Sequence, residues 1–232
     1  MRSSIILGAF LGAMVLCGAA RAAEDLDAPK ADPKHHKVEF ENEWVRIVRA
    51  VIPPHEKTEM HGHPNLVSVF LTDADLKVIA PDGKVSEAHA KKGSATWRGP
   101  TAHVAENIGD KPVEQLLVEP KGPAKAGWTP PPRDVTKVTT TDKVEFENEY
   151  VRIVQGTFGK GARAPMHDHA SGVHIALDDS HVRSTTPDGK ATEVRSKAGE
   201  ARYRPAFSHS VENLDDGHSS LIVDIKAAPP GK

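Results

Sequence analysis

Cysteine is almost missing: the 232 residues contain one, Cys17. It lies in an N-terminal apolar run and is expected to leave with it. The working chain then has no disulfide and no thiolate chemistry, and must be held together by burial. Aromatic residues are scarce at 5%, which leaves little surface for stacking sugars or bases. Neither sign of charge is in excess, since 30 Lys and Arg against 32 Asp and Glu give a formal −2, and the basic residues are scattered. No stripe for a phosphate backbone results, so nucleic acid is not an expected partner. Helical periodicity is missing too, as no stretch sustains a three-to-four-residue apolar repeat over three turns.

The apolar run at the start, MRSSIILGAFLGAMVLCGAARA, has Arg2, then Ile5 to Leu16, then Ala20-Arg21-Ala22. That is the layout of a cleaved secretory signal over residues 1–22, and it is too short for a spanning helix. An uncleaved anchor fits less well, and a lipid anchor on Cys17 less still, because Met14-Val15-Leu16 lacks small residues. The expectation is a periplasmic or secreted protein, free of the membrane after cleavage. Residues 23–35, polar and proline-bearing, read as a loose leader.

What is present is written twice. HKVEFENEWVRIV from His36 returns as DKVEFENEYVRIV from Asp142, 106 positions on, and MHGH, PDGK and the glycines Gly93 and Gly199 recur at the same offset. His103 and Asn107 match His209 and Asn213; a one-residue deletion then aligns QLLVEPK with SLIVDIK. The chain is a tandem duplication, with units at 36–121 and 142–228. The proline-bearing segment 122–141 between them reads as a stiff, extended linker. Trp128 within it either pins the linker to a domain surface or stacks on a ligand, and only the first has support. Apolar residues in each unit alternate (VEF, VRIV, VSVFL, VHIAL), which suits half-buried strands, with turn signals between. The fold class expected is all-β, two sandwiches or barrels of the jelly-roll kind with little helix.

Thirteen histidines gain meaning from matched positions. His167 and His169 are two apart, so on a strand they share a face, as do His61 and His63. His174 follows five residues later, after a segment able to turn, and His209 comes from a distant strand; His103 is its match. His35 and His36 fall at the leader end, and His89, His181 and His218 break the pattern and read as exposed. Asp168, between two inward histidines, should point outward. Asn107 and Asn213 suit turn chemistry.

Gly161, His167-Asp168-His169 and His174, followed by Gly199, Pro205, His209 and Asn213, resemble the two sequence motifs of the cupins. The two copies together are similar to a bicupin, which implies two tandem cupin-type jelly-roll β-barrels. The departures are informative. His174 stands where the family usually has glutamate, and Ser68 stands there in the first unit; His55 replaces Gly161, and Phe207 replaces a glycine. The resemblance therefore implies a four-histidine site, His167, His169, His174 and His209, and a second of three, His61, His63 and His103, unless the first unit is a degenerate copy. Such nitrogens suit a divalent transition metal, Fe, Mn, Ni, Cu or Zn. Without a carboxylate the double charge is uncompensated, which favours anionic ligands. Binding needs neutral imidazoles, so affinity is expected to fall in mild acid.

Arg204, Arg98 and Glu212 are the candidate catalytic residues, with Glu106 matching Glu212. Either arginine could hold a carboxylate near the metal or simply pair on a strand surface. Two functions stay open. One is a metal-dependent oxygenase or isomerase acting on a small oxygen-rich molecule, a class the resemblance implies. The other is a non-catalytic binder of a metal or small molecule. A monomer and a homodimer are both compatible with the fold.

Overall fold

A computed structural model describes residues 26–228. The expected signal, 1–22, and the first residues of the leader lie outside them. Among the described residues the helices are single turns, Ala28–Ala31 and Val135–Val138, and the rest of the regular structure is strand. The first unit contributes β1 (His36–Glu41), β2 (Val45–Ile52), β3 (His61–His63), β4 (Leu66–Phe70), β5 (Ala74–Ile79), β6 (Val85–Ala90), β7 (Ala95–Arg98), β8 (Thr101–Asn107) and β9 (Val113–Pro120). The second repeats them as β10 (Asp142–Glu147), β11 (Val151–Gly159), β12 (Arg163–His169), β13 (Gly172–Ala176), β14 (Ser180–Thr185), β15 (Ala191–Ser196), β16 (Ala201–Arg204), β17 (Phe207–Asn213) and β18 (Gly217–Ile225).

Each unit is two antiparallel sheets around one interior. The five-stranded sheet runs β1-β2-β9-β4-β7, the four-stranded one β3-β8-β5-β6, and the second unit has the same order. The first hairpin forms because Asn42 Oδ1 accepts from the backbone N–H of Trp44 and Val45; Asn148 does the same for Tyr150 and Val151. Asn107 and Asn213, both buried, likewise bond backbone at their strand ends. Gly161 turns with φ 67°, and its counterpart His55 adopts φ 60°. Histidine is unusual there, since its Cβ crowds the backbone in the left-handed region.

The alternating strands VRIV, VSVFL and VHIAL are not half-buried, as expected, but buried on both faces, whereas the VEF strands β1 and β10 are exposed beyond their first residue. The outer face of one five-stranded sheet packs on that of the other, joining Val45, Ile47, Val118, Val151, Ile153 and Val223 in one core. Their inward neighbours line the barrels. The packing is approximately two-fold: Gly93 seats Leu177 and Gly199 seats Leu71. At its rim Trp97 stacks on Tyr150 at 5.3 Å and Phe40 on Tyr203 at 5.8 Å.

The stretches read as loose leader and stiff spacer are folded in their described parts. Leu26 O accepts from Gly62 N, and Arg133 O accepts from Asp168 N, so each arm runs beside a histidine strand. Asp27 binds Arg46, which also binds Glu119; Asp134 binds Arg152, which also binds Asp224. The duplicated unit thus includes an arm, matched at an offset of 107 because one residue more separates arm from β1 in the first copy. Trp128 lies under Arg152 and Lys226, with ring centroid distances of 5.2 and 4.5 Å, the pinning arrangement.

Candidate metal centre

In the second unit β12 and β17 are paired with His167 opposite His209 and His169 opposite Phe207. A bulge between Ala164 and His167 aims the end of β12 inward. The Nε2 atoms of His167 and His169 stand 2.9 Å apart, those of His169 and His209 3.1 Å. The rings are set from behind. His167 Nδ1 is 2.7 Å from Pro165 O, which can only accept, so Nδ1 carries the proton and Nε2 a lone pair. His209 Nδ1 meets Ser184 Oγ at 2.8 Å, and Phe207 stacks on His169 at 4.8 Å.

Three lone-pair nitrogens brought this close repel unless something positive lies between them. A proton on His169 Nε2 can point to one neighbour only. Two nitrogens each about 2.1 Å from one ion, at right angles, would be about 3.0 Å apart, and the observed spacings match that. The donor set therefore fits a divalent transition metal held on one side.

No family model and no curated protein matches the sequence. Solved structures do. The "Cupin 2 conserved barrel domain protein" from Leptotrichia buccalis is 13% identical over 82% of this chain and 88% of that one, with TM-score 0.50. Salicylate 1,2-dioxygenase from Pseudoaminobacter salicylatoxidans, as its adduct with gentisate, is 9% identical over 90% and 78%, with TM-score 0.57. A variant of oxalate decarboxylase from Bacillus subtilis is 14% identical over 87% and 71%, with TM-score 0.54. The chain has the cupin fold.

In this cupin pair of barrels the sequence-derived ligands are only partly brought together. His174 lines the same cavity as the triad but stays outside its cluster of nitrogens. The reason is topological: β13 belongs to the five-stranded sheet, so His174 enters from the opposite wall. His218, expected to be exposed, also lines that cavity and stacks on Phe158 at 5.5 Å; His181 is half-buried against Glu193. Asp168 does point away, bonded to Arg133 and Ser208. Glu212 is no acid or base for the site, because it pairs with Arg163 and Arg183 outside the barrel, and Glu106 pairs with Lys77. Arg204 is half-buried on the cavity wall, 5.5 Å over Phe207, with no ion-pair partner among the described residues. Arg98 lines the first cavity but is exposed.

The first cupin barrel holds a residue that the motif spacing missed. His36, His61 and His63, all buried, each offer a nitrogen within 4.8 Å of the others. His103, the expected third member, stands beside them, its ring 4.7 Å from that of His61 and 5.4 Å from that of His63. His36 is not leader but the first residue of β1, and Asp142 occupies its place in the second unit.

Burial, reinforced by neighbouring imidazoles, lowers His36 and His61 to about 4, His103 and His169 to about 3 and His209 to about 2. These values lie below the ordinary 6.5, so the unfolded chain takes up protons first as pH falls. The stabilisation is complete above about 6.5 and is lost as pH drops toward 4, at about 1.4 kcal/mol per pH unit for each histidine. Metal-free protein should therefore melt at progressively lower temperature between pH 7 and 5. A flat profile would contradict these burials. At His36, His61, His103, His169 and His209, proton competition with a metal moves below the mild-acid range expected from ordinary imidazoles.

Proposed function

We propose that the second barrel is a metal-dependent catalytic centre, of oxygenase or isomerase type, for a small oxygen-rich carboxylate, in an exported protein. The observation that carries this is the convergence of three Nε2 atoms, at 2.9 and 3.1 Å, in a cavity that also presents Arg204 without an ion-pair partner. A divalent transition metal bound there supplies Lewis acidity and, when redox-active, electrons. Everything else falls to the chain. Arg204 offers a planar pair of donors suited to a carboxylate, and the ring of Phe207 lies beneath its guanidinium. Pro165 O and Ser184 Oγ hold His167 and His209 in orientation. His174, lowered to about 4 by burial and then by Arg204, stays neutral at pH 7 and is available to accept a hydrogen bond from a substrate hydroxyl. Gentisate and oxalate, named with two similar structures, are both small carboxylates, which supports the class.

Among the described residues the cavity wall carries a single carboxylate, Asp142, anchored at Oδ2 by the hydroxyls of Thr139 and Thr141. That favours chemistry performed by the metal, and it is also the observation that favours the binding-protein reading. Metal-loaded protein titrated with a 2-oxo acid and with its neutral amide decides the ligand class; oxygen uptake and isomerisation followed by NMR decide catalysis. Arg204→Ala is expected to weaken carboxylate binding about 10–100-fold, the worth of a charge-assisted pair, and to leave amide binding unchanged. Equal losses for acid and amide would overturn the assignment of Arg204. Tight binding without turnover in any assay would favour the binder.

A further inference from the structure

The two centres are not copies of one another, and the difference lies where each arm meets the first strand of its unit. In the second barrel the place of His36 is taken by Asp142, whose Oδ2 accepts from the hydroxyls of Thr139 and Thr141. In the first, His36 Nδ1 faces Asp32 O at 3.3 Å and the Asp32 carboxylate at the same distance. With Nδ1–H donating toward Asp32, Nε2 is left as a lone pair, the arrangement that Glu59 O imposes on His61 at 2.8 Å. The rings of His36 and His61 are 4.4 Å apart, those of His36 and His63 5.9 Å.

A second observation points to an absent partner. His63 Nδ1 and Glu119 Oε1 are buried with no hydrogen bond, 3.8 Å from each other. Two such atoms left unpaired cost free energy. A cation on the other nitrogen of His63 would polarise Nδ1–H and strengthen its attraction to that carboxylate, as second-shell carboxylates do for metal-bound histidines.

We propose that the first barrel holds a divalent transition metal in a shell of imidazoles to which the first residue of β1, where the N-terminal arm joins the barrel, contributes His36, alongside His61, His63 and His103, and that this metal fastens the root of the arm. Four nitrogens suit Zn, Cu, Ni or Co and leave less room for a substrate than the triad of the second barrel. The arm is otherwise tied to the barrel at its two ends, by Leu26 O to Gly62 N and Asp27 to Arg46 at one, and by Lys34 and His35 to Glu56 and His35 O to Val51 N at the other. A metal gripping His36 closes the loop between β1 and the histidine strands and should order residues 26–36.

The test uses the full chain carrying His169→Ala, which disables the second site and separates this proposal from the catalytic reading. Cu(II) is added, pulsed electron paramagnetic resonance counts coupled imidazoles, and hydrogen exchange follows the amides of residues 26–36. We expect one Cu(II) per chain, with His36→Gln losing one imidazole, at least about tenfold in affinity, and the metal-dependent protection of the arm. His36→Gln keeps a hydrogen-bonding group for Asp32, and its metal-free melting temperature shows whether the fold survived. If that variant unfolds, His103→Gln is substituted and must likewise lose one imidazole. Unchanged imidazole count and arm protection in either folded variant, or no Cu(II) bound at all, would overturn the proposal.

Discussion

Alanine in place of His169 is expected to abolish metal binding by the second barrel while leaving the first barrel's capacity intact. His169 is the middle nitrogen, 2.9 Å from His167 Nε2 and 3.1 Å from His209 Nε2. Without it the remaining two form a bidentate site on the floor of an open cavity. Loss of an outer-sphere partner alone costs about 10–100-fold in metal affinity, so loss of the central ligand should exceed the upper end of that range. Competition against a chromophoric chelator, read for wild type and variant, would show two classes of site becoming one. Ser184→Ala is the graded companion, since it removes only the group orienting His209 and should fall within the 10–100-fold range. If His169→Ala retained both classes of site, the triad would be a packed cluster of neutral imidazoles and the catalytic reading would fail with it.

Much of this was legible because duplication turns a weak pattern into a strong one. A histidine pair two apart is common decoration, but the pairs at 61/63 and 167/169, with later partners at 103 and 209, recur at one offset, and the structure brings both sets together. Strand content and hairpin turns followed from alternation and from Asn42 and Asn148. The misses are tertiary. Alternation alone places His36 with Val38 and Phe40, both exposed, whereas the bulge after Val38 puts Phe40 out of step and Asp32 of the arm covers His36 alone. His174 is at motif spacing, yet spacing does not reveal which sheet a strand joins. The arms escaped notice because their match is at 107, one residue out of step. Asp27 and Asp134, each preceding a single helical turn with a lysine in it, were the available signal.

The largest effect on stability is expected from Arg152→Ala, at about 3–5 kcal/mol, the range for breaking a buried pair from one side. The guanidinium is almost wholly enclosed, with Asp134 Oδ2 at 2.5 Å and Asp224 Oδ2 at 2.7 Å, and both carboxylates are buried. One arginine cannot fully neutralise two acids. Burial raises Asp224 to about 6, whereas Asp134, buried as well, is held low by hydrogen bonds from Arg152 and Thr136. Without Arg152 the Asp134 carboxylate would have to lose its charge or draw in water, either at the expense of the arm. The counterpart Arg46, more exposed and paired with the partly exposed Asp27, should cost less when replaced. Urea unfolding at pH 7 compares the two, and a loss below about 1 kcal/mol for Arg152→Ala would mean that the network does not hold this end of the barrel. The consequence reaches the centre itself. Asp134 follows Arg133, whose carbonyl accepts from Asp168 N between His167 and His169. An arm loosened by Arg152→Ala should therefore misplace those imidazoles and weaken metal binding without any ligand being changed.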